Sequence, residues 1–138
     1  MATRINTAAL NHMLRGRGGL VDRHFTAHAE RVQAVAKSLA PADSGRLKGS
    51  IRVRRRVAGE KVIWNIGSPL NYARYPECGT GVYAGRGPIR PRRAQYLVFW
   101  IDGRKIVTKS VKGQPGQHFM IEALRTGQPY PVIVYPCH

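Results

Sequence analysis

The chain has 138 residues, enough for one domain that buries about two-thirds of its unfolded surface and too few for a second independent one. Its 23 Lys and Arg against 7 Asp and Glu give a net charge of +16, a field that draws polyanions or acidic protein surfaces but says nothing about fold. No apolar run approaches the roughly 20 residues of a membrane span and the first residues lack a secretory core, so a soluble protein with no membrane partner, assembled in a reducing cytoplasm, is expected.

Cys78 and Cys137 are too few and too far apart for a disulfide framework or a metal knuckle, and free thiols are expected. From Thr3 to Arg15 a short helix is predicted, with Thr3 as its cap and Ile5, Ala9 and Met13 on one face. Arg15-Gly16-Arg17-Gly18-Gly19 interrupts it as a flexible joint, which makes 1–19 a flexible N-terminal segment. From Leu20 to Leu39 the helical period is strongest: Val21, Phe25, Ala29, Val32, Ala36 and Leu39 form a stripe, and Pro41 ends the helix. His24 and His28 stand one turn apart in it, a metal-ligand spacing without a third ligand nearby, so solvated or interface histidines are the ordinary reading and no metal is expected.

Residues 43–50 read as a turn-rich connector. Ile51, Val53 and Val57 then alternate with Arg52, Arg54 and Arg56, and after Ala58-Gly59-Glu60 the chain returns through Val62, Trp64 and Ile66, which predicts a hairpin. Arg54, Arg55 and Arg56 near its tip project charge into solvent, either as an edge that resists sheet-to-sheet pairing or as a binding patch. The stretch 64–81 organises the chain: a strand end, a Gly-Ser-Pro break, then Tyr72, Tyr75, Glu77 and a Gly79-Thr80-Gly81 turn. Tyrosine rings that pack while their hydroxyls seek partners, with permissive glycines, suit a loop docked on a sheet or a neighbour, and Tyr72, Tyr75, Glu77 and Gly79 are expected to fix it.

Residues 82–93 follow as a loop without periodicity, carrying Arg86, Arg90, Arg92 and Arg93 and expected to order on assembly. Tyr96 to Ile101, the Asp102-Gly103 turn and Arg104 to Val111 predict a second hairpin. Residues 112–116 form a break. Gln117 to Arg125 suits a short helix whose Phe119, Met120, Ala123 and Leu124 cover the sheet, and Gly127 stops it. Beyond it, 128–138 is an extended tail, with a short strand over 131–135 flanked by Pro129 and Pro136.

No nucleophile, base and stabiliser fall together, so no enzyme and no cofactor are expected. Cys78 beside Glu77 and the Gly-Thr-Gly turn leaves a thiol hydrolase open. Gly79-Thr80-Gly81 lacks the Lys and Ser/Thr of a phosphate loop. Arginine-rich loops near Tyr83 and Tyr96 suit a nucleic-acid-binding module, though the charge is spread along the chain and no base-reading motif is present.

Three ordered blocks resemble one known family. Ser44-Gly45-Arg46-Leu47 with Ser50-Ile51 is similar to its Ser/Thr-Gly-Arg-Leu-x-x-Ser-Ile signature. Ile66-Gly67-Ser68 with Tyr72-Ala73, Tyr75, Glu77 and Gly79-Thr80-Gly81 resembles its central block. Pro115 to Leu124 resembles its Pro-Phe-hydrophobic-x-x-Ala-Leu helix. The family is that of the small tail-completion or neck proteins of long-tailed bacteriophages. The chain departs from it in Cys78 for a large aromatic residue, in Pro76, and in His118 for the proline before Phe119.

The resemblance implies a structural virion protein of the head-to-tail connector, assembled in the host cytoplasm as a homo-oligomeric ring, six copies, around the DNA passage. Its implied partners are the head-completion or stopper ring, the tail terminator or tail tube protein, and phage DNA bound nonspecifically in the lumen. The expected fold is α+β, a single domain over 1–138: an antiparallel sheet of two hairpins covered by the long N-terminal helix and the short C-terminal one, with long loops ordered on assembly. The arginines at 54–56 and at 86, 90, 92 and 93 are the candidates to face DNA or a neighbour.

Overall fold

The computed structural model describes residues 3–41 and 45–133. Ala42, Asp43 and Ser44 of the connector, positions 134 and 135 of the expected terminal strand, and Cys137 and His138 lie outside them. In chain order the elements are α1 (Thr7–Arg15), α2 (Leu20–Leu39), α3 (Arg46–Ser50), β1 (Arg52–Ala58), β2 (Lys61–Gly67), α4 (Arg74–Cys78), β3 (Leu97–Ile101), β4 (Arg104–Thr108) and α5 (Phe119–Gly127). The class is α+β, as the alternation and the α2 stripe predict. The two hairpins, however, remain two separate two-stranded sheets. The chain divides into two compact units, Met1–Leu70 with Met120–Val132, and one containing Asn71–Phe119.

In the first unit the core is small. Ala29, Val32 and Ala36 of α2 are buried, together with Ala40, Leu47, Ile51 and Ala123. Leu39, expected on the same stripe, is 46% exposed, and Ala40 takes the inner place because the helix ends there, its N–H donating to the Ala36 carbonyl. The connector hides a helix: Gly45, at φ 64°, turns the chain into α3, whose Leu47 is buried. Five residues are too few for a periodic signal, and Gly45 before them and Gly49 within them read as turn. Asn6, not Thr3, caps α1, accepting from the Ala9 N–H at 3.0 Å.

β1 and β2 pair antiparallel from Arg52 opposite Gly67 to Ala58 opposite Lys61. Arg55 breaks the expected exposure of the arginine run. Its Nε donates to Asp22 Oδ1 at 2.5 Å and its Nη2 to the Arg15 carbonyl, with the side chains of Arg55 and Asp22 only 15% and 13% exposed. The reason is pleat parity: Arg55 shares the inner face with Val53, and Arg54 and Arg56 share the outer one. One guanidinium therefore ties the last turn of α1, the first turn of α2 and β1 together, satisfying an orphan helix carbonyl on the way. Asp22 also accepts from the Gly18 N–H at 2.9 Å. That bond first, and then Arg55, hold its carboxyl below the usual carboxylate value against the opposing effect of burial.

Trp64 donates its indole N–H to Thr26 Oγ1 and stacks on Phe25, which stacks in turn on Tyr130. His24 Nε2 lies 2.7 Å from the Tyr130 hydroxyl and 4.6 Å separates the His24 and His28 ring centroids. The helical pair thus belongs to an aromatic cluster, and His28 Nδ1 is buried without a hydrogen-bond partner among the described residues. Among the described residues no three His, Cys, Asp or Glu gather closely enough to hold a metal ion, and no helix is long and apolar enough to cross a membrane.

In the second unit β3 and β4 pair from Leu97 opposite Thr108 to Ile101 opposite Arg104. Asp102 and Gly103 have φ 48° and 78°, the positive pair that a tight hairpin turn requires. At the C-terminal side Gly127 of α5 abuts Val32 of α2 in the first unit, where an added Cβ would lie 2.7 Å from the Val32 Cα. The face of α5 is the expected one, with Phe119 and Ala123 buried. Residues 131–133 are not in a strand.

Candidate interaction surface

The central stretch is held by a partner that no local pattern reveals. The Gly79-Thr80-Gly81 turn is laced to 112–116: the Thr80 N–H donates to the Gln114 carbonyl, the Val82 N–H to the Lys112 carbonyl, and the Gln114 N–H to Thr80 Oγ1. Gly79 has φ 80° and ψ −174°, a region open essentially to glycine alone, and a Cβ there would stand 2.7 Å from the Gln114 oxygen and the Gly116 nitrogen. Gly79 is therefore fixed by close approach of two backbones.

The other three docking candidates behave differently. Tyr72 is 37% and Tyr75 47% exposed, so their rings do not bury the loop. Instead the Tyr75 N–H donates to the Tyr72 carbonyl on entry to α4, and the Tyr75 ring lies 5.8 Å from the Arg74 guanidinium carbon. Glu77 contributes its carbonyl, which accepts from the His118 N–H at 3.2 Å, beside a Gln117 N–H bond to the Pro76 carbonyl. His118 has φ 51°, which a proline ring cannot adopt, and it donates through an N–H that proline lacks. At this position the backbone departs from what the resembled family's proline would impose.

Cys78 is disulfide-bonded, in place of the expected free thiol. A bridged sulfur is not a thiolate nucleophile.

The loop 82–93 is pinned more than its composition predicts. A 3-10 turn spans Gly81–Ala84, and Ile89 forms a two-bond bridge with Val111, at 2.8 and 3.0 Å. Arg86, Arg90 and Arg92 line one open pocket of about 700 Å³, together with Arg74, which the sequence reading missed. Arg93 is exposed and does not line it. Arg54 and Arg56 are exposed on the outer face of β1, and Arg55 is withdrawn from it. The β3–β4 hairpin supplies a second kind of surface. Val98, Trp100 and Val107 are 54%, 67% and 55% exposed, and Val98 faces Val107 across the ladder, so its outer face is an apolar patch of the kind that marks contact sites.

Residues 21–79 match the model of a family described as "Bacteriophage HK97-gp10, putative tail-component". The matched span includes the connector block and most of the central block, and ends before the 115–124 block. No curated protein and no solved structure matches the chain.

Proposed function

We propose, from the match of residues 21–79 to the model of the HK97-gp10-like family of bacteriophage tail components, that the chain is a structural protein of the virion's head-to-tail joint. Six copies form a closed ring between the head connector and the tail tube, around the passage of the DNA. Its neighbours are the head-completion or stopper ring on one side and the tail terminator or tail tube protein on the other. The protein works by contact, without turnover and without a cofactor.

The family match carries this reading, and the surface chemistry supports it. A ring needs unlike faces that meet head to tail and close. The outer face of the β3–β4 hairpin offers Val98, Trp100 and Val107 to solvent, and α1 has no buried residue, with Leu10 and Leu14 each 40% exposed. Two different apolar faces on one chain are what such a closure uses. The net charge of +16 suits a ring threaded by a polyanion. Deleting the gene in a producing phage and complementing it in trans tests the reading: full heads and finished tails should accumulate unjoined and join on complementation. Normal particles from the deletion would contradict it.

A further inference from the structure

Four arginines of the second unit, Arg74, Arg86, Arg90 and Arg92, line one open pocket of about 700 Å³ with no carboxylate side chain among the described residues of its wall. We infer that this pocket takes phosphate groups of the duplex DNA backbone; the inference rests on the joint reading above and gives it a site of contact. The wall is presented firmly. Ile89 is bridged to Val111 by two backbone hydrogen bonds, and Pro88 and Pro91 fix φ on either side of the Ile89-Arg90 pair. Arg74 rests its guanidinium against the Tyr75 ring. Cations held on a pinned segment lose little freedom when an anion arrives, and their planar forks donate to phosphate oxygens two at a time.

The occupant is not a second copy of the chain. A second copy brings 23 Lys and Arg against 7 Asp and Glu, so like charge opposes its approach to an arginine-lined pocket. An acidic segment of another protein would fill the pocket yet leave the rest of a +16 chain unneutralised. Duplex DNA, with a charge about every 1.7 Å, answers both the pocket and the surrounding field.

The test is a salt titration of the full-length chain on a 30-base-pair duplex, comparing R86Q/R90Q/R92Q with R52Q/R54Q/R56Q on exposed β1 positions, which removes the same charge. Each phosphate contact contributes about 0.9 to the slope of log affinity against log salt, so the pocket variant should lose about 2.7 of slope and the β1 variant less than about 1. Between 50 and 200 mM salt the wild type should then lose about 40-fold more affinity than the pocket variant. The R86K/R90K/R92K variant, which keeps the charge and loses the fork, should retain the slope with weaker binding, and it serves if the glutamine variant does not fold. Equal slope loss in both glutamine variants would overturn the inference in favour of diffuse charge. Displacement by polyglutamate at the same charge concentration as duplex competitor would overturn it in favour of an acidic protein. Either result leaves the joint reading standing, since that is decided by whether heads and tails join.

Discussion

Replacing Gly79 by alanine tests the docking of the central stretch directly. Two costs add at this position. Holding a Cβ-bearing residue at φ 80° and ψ −174° costs about 1–3 kcal/mol. Pushing that Cβ to 2.7 Å from the Gln114 carbonyl oxygen and the Gly116 nitrogen forces the backbones apart, for about 1–3 kcal/mol more. The sum, about 2–6 kcal/mol, is large beside the roughly 5–15 kcal/mol that stabilises a domain. At about 4 °C per kcal/mol for a chain of this size, Tm should fall by about 8–24 °C.

The control is Gly85→Asn, at φ 70° and ψ 16° with no heavy atom within 4 Å of an added Cβ; asparagine tolerates that conformation, and the cost should stay under about 1 kcal/mol. Thermal unfolding by circular dichroism gives both values, and amide exchange at Thr80, Val82 and Gln114 reports whether the lacing itself opens. Wild-type Tm and protection in Gly79→Ala, or a Gly85→Asn variant as damaged as Gly79→Ala, would refute the reasoning.

Three further outcomes follow from the same geometry. Arg55→Ala should lower Tm clearly by freeing the α1 and α2 ends from β1, whereas Arg54→Ala and Arg56→Ala, on the exposed face, should stay within about 0.5 kcal/mol of wild type in urea unfolding. Because the Asp22 carboxyl titrates below its ordinary 3.8 in the folded state, its contribution is present above that value and lost as pH falls through the lower folded one; urea midpoints measured from pH 7 down to pH 2.5 should show an acid loss that Asp22→Asn lacks. His118→Pro, which would introduce the residue of the resembled family, should destabilise by more than about 1 kcal/mol, since it removes the bond to the Glu77 carbonyl and forbids φ 51°; an unchanged melting curve would contradict this.

What the sequence revealed was whatever local patterning encodes. The α2 bounds follow from a 3.6-residue stripe closed by Pro41, and the β3–β4 turn from Asp102-Gly103, whose φ values only such residues adopt readily. Arg55 was legible by parity, because it shares the odd register of Ile51, Val53 and Val57, and a run of three arginines drew attention to charge instead of pleat. The lacing of 79–81 with 112–116 spans some thirty residues and is made by backbone groups, so no residue pattern announces it; the only hint was that both stretches are rich in glycine. Arg74 stayed hidden for a similar reason, since it reaches the pocket from α4 and not from the arginine loop. The one sheet expected from two hairpins required a pairing between them that nothing local specifies, and the chain keeps two.

The central claim is a place in the particle. Cryo-electron microscopy of purified virions, with this chain fitted into the density between head and tail, tests it most directly. A six-fold ring of this protein at that joint, enclosing the DNA, is the expected result. Particles in which the chain is absent from the joint, shown by density fully explained by other proteins, would contradict it.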